Sequence, residues 1–173
     1  MKDFKLKLLY LLFVFLCINH TYAATRLTRE QKAAEDSLLK TAIENRHYVF
    51  QAQTAHPMAW RVVNLSYGYS LEVAPDTISA WLPYFGRAYT APVNTEDSGI
   101  KFVSTDFDYS VKEGKKGRLD ITIVPKDIPG KRYVLYLSAF PGGNCSLSVQ
   151  DPDRQQIHFS GIIERLEKDG EKP

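Results

Sequence analysis

Hydrophobic positions along this chain follow two different periods. From residue 28 to about 45 they recur every three or four residues. Ala34, Leu38, Ala42 and Ile43 then share one face, with Glu35 and Leu39 off the stripe. That spacing predicts one amphipathic helix. Thr28-Arg29-Glu30-Gln31 fits a capping box at its start. From His47 onward the period is two, in short runs rich in β-branched and aromatic residues. Tyr48, Phe50 and Ala52 alternate, then Val63, Leu65 and Tyr67, then Tyr69, Leu71 and Val73 beyond Gly68. Those last six all fall on odd positions, so Gly68 reads as a bend and not as a register break. Further runs are Ile78 to Leu82, Phe107 to Val111, Leu119 to Ile123, Tyr133 to Leu137, Cys145 to Val149, and Ile157 to Gly161. Pro75-Asp76, Gly114 to Gly117, Pro129-Gly130 and Pro141 to Asn144 supply turns between them.

The pattern predicts a mainly β fold, α+β at the margin: one N-terminal helix, then about eight strands. Short turns make neighbouring strands antiparallel, and the alternation gives each strand one buried face. A curled sheet, an open barrel and a sandwich all satisfy this pattern. In each, the helix covers an open face or plugs an end. Residues 24–163 are expected to form a single globular domain, followed by a charged, frayed tail over 164–173.

The first 23 residues change the picture of compartment and charge. Lys2, Lys5 and Lys7 precede an unbroken apolar run from Leu8 to Ile18, and Thr21-Tyr22-Ala23 offers a cleavage site. This order reads as a cleavable secretory signal, too short for a spanning helix, and predicts an exported protein, periplasmic or secreted. Leu16 before Cys17 is the wrong neighbour for a lipid-bearing cysteine, so no lipid anchor is expected. Cleavage leaves Cys145 as the sole cysteine, which cannot form an internal disulfide. Of 22 basic and 20 acidic residues, the leader holds three lysines and Asp3, leaving 19 of each. A neutral mature chain has no global attraction to nucleic acid, and no later segment is apolar enough to span a bilayer.

One stretch breaks the alternation. Pro83 to Gly99 has no clear periodicity and places Tyr84, Phe85 and Tyr89 around Arg87, next to Trp81. Loops of this length inside a compact domain are often functional or self-packed. Here the chain resembles the exported bacterial domain-of-unknown-function family 4251. The resemblance is carried by Val63-Asn64-Leu65-Ser66, by Asp76-Thr77-Ile78, and by Leu82-Pro83-Tyr84-Phe85-Gly86-Arg87-Ala88-Tyr89 with Ala91-Pro92. Gly99-Ile100-Lys101-Phe102 and Ile121 to Asp127 continue it. It spans roughly Tyr48 to Gly161. It implies a secreted or envelope protein, mainly of gut-type Gram-negative bacteria, and implies no activity and no catalytic residue.

The residues point away from catalysis. Asp106 and Asp108, at i and i+2, would share a strand face and could serve calcium binding or acid–base hydrolysis of an envelope polymer. Their serine neighbours fit a solvated face better. His47, His56 and His158 lack metal-ligand spacing, and His158 is expected to face solvent. Cys145 has the parity of Leu147 and Val149 and is expected to pack as a small apolar residue. Trp60 and Trp81 suit core or interface packing, or stacking on a sugar. No metal, cofactor or catalytic set is expected. The expected function is non-catalytic binding of a small amphipathic ligand or an envelope partner. Arg87 would recognise an anion or hydroxyl, Tyr84, Phe85 and Tyr89 would supply apolar walls, and Trp81 would flank them. Alternatively Arg87 stacks on an aromatic ring and only fixes the loop. A third reading is a structural subunit of an envelope assembly.

Overall fold

A computed structural model describes residues 29–66, 68–89 and 99–166. Residues 1–28, Tyr67, residues 90–98 and residues 167–173 lie outside them, and with them the expected signal, the Thr28 cap and most of the expected tail. The chain divides between Ser37 and Leu38 into two compact units. In the first, the described residues 29–37 are helical, part of the helix α1 that ends at residue 44. The second unit holds the last turns of α1 and every strand.

Ten strands follow: β1 (Tyr48–Pro57), β2 (Val63–Asn64), β3 (Ser70–Val73), β4 (Ile78–Leu82), β5 (Ile100–Ser104), β6 (Phe107–Glu113), β7 (Leu119–Pro125), β8 (Val134–Ala139), β9 (Asn144–Asp151) and β10 (Arg154–Arg165). All pairings are antiparallel. The spatial order is β5-β4-β3-β1-β10-β9-β8-β7-β6, with β2 beside β1. Read around the sheet, this is an up-and-down meander whose last strand returns to its first. β2 and β3 are two pieces of one strand along β1. β5 and β6 are two pieces of one bent strand, the first paired to β4 and the second to β7. Eight strand paths thus curl into a nearly closed barrel, the device by which antiparallel sheets remove their edges.

Every inward position anticipated by the alternation in β7, β8 and β9 is buried, Cys145 among them. The interior is filled by side chains, led by Tyr48, Phe50, Phe159, Leu71, Ile123, Leu135 and Leu137. Such filling is usual at this strand number. Phe102 of β5 stacks on Tyr133 at 5.1 Å between centroids. β10 meets β1 without room for a side chain at Gly161: a Cβ there would sit 1.9 Å from the Gln51 carbonyl oxygen.

Four expectations change. Of the expected stripe, Ala42 and Ile43 are buried but Ala34 and Leu38 are exposed, and Leu39, expected off the stripe, packs partly buried against the core. Gly68 (φ +105°) does mark a register break. Ala55 faces Val63 while Phe50 faces Leu71, so five steps along β1 answer eight along its partner. Parity survives because β1 carries its own bulge between Ala52 and Thr54. Ile100–Ser104 forms β5, a strand directly after the aperiodic segment that was not among the anticipated runs; Ile100 and Phe102 alternate there with Lys101 and Val103. Glu164 and Arg165, read as tail, still pair with Val49 and Tyr48.

Candidate functional site

The barrel has two mouths, closed in different ways. At the first, α1 ends in a Schellman turn: His47 N–H donates to Ala42 O (2.8 Å) and Arg46 N–H to Ile43 O (3.1 Å). Arg46 takes the left-handed position (φ 55°) that usually favours glycine, at a cost of about 1 kcal/mol. Its side chain offsets this cost by lying over Tyr109 (5.2 Å) and Phe107 (5.9 Å) and donating to Pro75 O. Tyr109 donates its hydroxyl to Ile43 O at 2.8 Å. Burial pushes that phenol up to about 12. A groove of about 450 Å³ runs between helix and β6 over Tyr109, Val111 and Leu119, and the exposed Lys40–Glu113 ion pair (2.9 Å) belongs to its rim.

The second mouth carries the segment singled out in the sequence. After β4 the chain crosses to the start of β10. Ala88 bridges to Arg154, Tyr89 N–H donates to Asp153 O (2.8 Å), and Gln155 N–H donates to Arg87 O (3.1 Å). Residues 83–89 therefore form a strap over the ends of the intervening strands. Tyr84 and Phe85 turn inward against the core. Tyr84 shares its hydroxyl hydrogen between Arg87 O and Gln155 O, each 3.0 Å away, and burial raises its pKa. Gly86 lets that ring lie under the strap, since a Cβ there would come within 2.7 Å of the phenol oxygen.

The five expected site residues are thus divided. Tyr84 and Phe85 pack partly buried against the core and plug the mouth. Arg87 and Tyr89 are exposed, Tyr89 by 68%. The Arg87 guanidinium makes no hydrogen bond, ion pair or ring contact with another described residue; it does not stack on Tyr84, whose ring instead carries Arg154 at 5.1 Å. Trp81 stands on the outer face of β4, 52% exposed, with Lys101 Nζ 4.2 Å from its ring centre. Trp60 is also exposed, by 68%, so neither tryptophan belongs to the core.

Beneath the strap lies a charged cluster that the alternation did not reveal. Asp151 and Arg154 close the β9–β10 hairpin as paired residues, both inward and buried. Arg154 Nε lies 3.7 Å from Asp151 Oδ2 and its Nη1 donates to Gly99 O (3.1 Å). Lys131 Nζ reaches Asp151 (3.5 Å) and Asp153 (3.4 Å). The sequence signal was an arginine on the inward face, opposite an aspartate across Pro152-Asp153. A cavity of about 290 Å³ opens beside this cluster.

Asp106 and Asp108 do not share a strand, and both are exposed. Asp106 lies in the corner before β6; Asp108 is exposed and bridges Lys126 at 2.6 Å. The acidic group that matters at this corner is Asp127. It accepts from Ser104 Oγ in a short hydrogen bond and from the backbone N–H groups of Thr105 (2.9 Å) and Asp106 (3.2 Å). Those donors lower its pKa to about 2. Asp127 thereby clamps the bend that joins β5 to β6. Burial pushes the Cys145 thiol up to about 12, the opposite of nucleophile activation. His56 and His158 face each other across β1 and β10, and His56 Nε2 contacts Ser160 Oγ at 2.9 Å. No cluster of three or more His, Cys, Asp or Glu suited to a metal occurs among the described residues.

Residues 30–163 match the family profile described as Domain of unknown function (DUF4251). The chain belongs to the DUF4251 family. No curated protein matches it. A solved structure is similar in fold: the crystal structure of a DUF4251 family protein from Bacteroides eggerthii DSM 20697, at 1.95 Å resolution. It is 12% identical, with a TM-score of 0.57 over 78% of this chain and 91% of the other. Within this DUF4251 chain, the segments that carried the resemblance coincide with the strap, the Asp127 clamp and β5. Several of their residues serve to close the barrel.

Proposed function

We propose that this DUF4251 protein is a non-catalytic, exported β-barrel, periplasmic or secreted. It binds a small amphipathic ligand or an envelope partner on the outer surface of the strap. The observation that carries this reading is the contrast within the strap itself. Tyr84 and Phe85 are held inward, while Arg87 and Tyr89 project into solvent from a backbone hydrogen-bonded to β10. A fixed backbone presenting an aromatic ring and a guanidinium with no partner among the described residues loses little further entropy on binding. Together they supply apolar contact and bidentate hydrogen bonding. Binding on the outside, in place of an internal cavity, follows from an interior already filled by side chains. The secretory leader supports export.

Hydrolysis through Asp106 or Asp108 has no comparable support, since both are exposed and neither lines a cavity described above. A structural role in an envelope assembly is the second reading. It is favoured by Met58, Trp60 and Val62, exposed by 68%, 68% and 58% on the connector between β1 and β2. Native mass spectrometry of the chain purified from its own host tests both. A bound mass that disappears in Arg87→Ala, at unchanged Tm, is expected. A defined multimer without bound mass supports the assembly reading, and a bound mass indifferent to Arg87 and Tyr89 removes the strap from the account.

A further inference from the structure

The cavity at the β9–β10 hairpin has a chemistry of its own. Its lining is Arg132, Val134, Gln150, Asp151, Pro152, Arg154 and Gln156, around about 290 Å³. Arg132 is exposed, and its guanidinium makes no hydrogen bond or ion pair with another described residue. Arg154 is the opposite: its side chain is only 8% exposed, held in place by Asp151, Gly99 O and the ring of Tyr84. Gln150 and Gln156 add planar amides, and Gln156 is anchored by donating to Ser148 Oγ (2.5 Å).

Among the described lining residues, Asp151 is the one group that would repel an anion, and its oxygens are turned to protein partners. Oδ2 faces Lys131 Nζ and Arg154 Nε, and Oδ1 accepts from Asp153 N–H at 3.0 Å. Counting Lys131 and Asp153, which touch this group, three cationic side chains stand against two anionic ones. The balance leaves one formal positive charge, set in a concavity, where its field is least diluted by solvent.

We infer that this cavity is a small-anion site, taking a carboxylate or phosphate group between Arg132 and Arg154. Guanidinium forks suit both groups, through charge-assisted and often bidentate hydrogen bonds. The site goes beyond the strap reading and stands independently of it. The two adjoin, since Tyr89 N–H is bonded to Asp153, between the lining residues Pro152 and Arg154.

The test is an NMR titration of the full mature chain, following side-chain amide signals of Gln150 and Gln156. Sodium acetate, inorganic phosphate and uncharged glycerol are added separately at constant ionic strength. Saturable shifts are expected with at least one anion and none with glycerol, and the better anion identifies the group. Arg132→Gln, exposed and therefore expected to keep the wild-type Tm, should weaken that binding at least tenfold. Shifts that do not saturate, an equal response to glycerol, or full affinity in Arg132→Gln would overturn the site. None of these results depends on Arg87, so the strap reading is judged separately.

Discussion

The two mouths of this barrel are closed by different physics. At the helix mouth, Leu39, Ala42 and Ile43 bury aliphatic surface and the charged groups stay at the rim. At the strap mouth, two aromatic residues plug the opening, but a buried Asp151–Arg154 pair lies directly beneath them. Ion pairs taken out of water contribute little net stability, whereas aliphatic burial contributes about 25 cal/mol per Å². The helix mouth is the stabilising end. The strap mouth spends part of its buried surface on charge and exposes Arg87 and Tyr89, which is where recognition is expected.

The comparison can be broken first at the seam between the mouths. Gly161→Ala drives a Cβ into the Gln51 carbonyl. It must part β1 from β10 and should cost about 3 kcal/mol or more by urea denaturation, at the upper end of overpacking effects. Next, Ile43→Ala at the helix mouth removes a fully buried side chain and should cost about 3 kcal/mol. Tyr84→Phe at the strap mouth keeps the plug but removes a shared hydrogen bond; about 1 kcal/mol is expected. If Tyr84→Phe cost as much as Ile43→Ala, the asymmetry between the mouths would be wrong.

The smallest effect concerns the bend that joins β5 to β6. The pKa of Asp127 is depressed in the folded state from 3.8 to about 2. Its contribution is therefore complete above pH 3.8 and lost as pH falls toward 2. Unfolding followed between pH 5 and pH 2 should show Asp127→Asn losing less stability over that window than the wild type. Equal acid sensitivity would mean the clamp contributes nothing.

Much of this barrel was legible in the alternation of β7, β8 and β9, because each strand has one face in the core and tight turns on both sides. The helix face was legible only at its end, where Ala42 and Ile43 are buried as expected. Ala34-Leu38-Ala42 and Leu39-Ala42-Ile43 are both acceptable stripes, and only packing against β6 decides between them. β5 was hidden because Val103, outward and 64% exposed, makes its run look aperiodic beside the segment before it. The strap was legible as a break in period. Its division into plug and exposed surface was not, because Tyr84 and Tyr89 differ only in which partners the fold brings to them. Arg154 escaped because a charged residue at a hairpin end ordinarily faces solvent.

The most direct measurement pairs stability with binding in two double variants. Arg87→Ala with Tyr89→Ala should leave Tm within about 2 °C of wild type, as surface changes usually do, and abolish the ligand or partner retained by the host-purified protein. Tyr84→Phe with Phe85→Leu should lower Tm and keep the bound species at temperatures where the barrel stays folded. The reverse pattern, or loss of Tm and binding together in the Arg87 and Tyr89 variant, would contradict the division of the strap into an inner plug and an outer recognition surface.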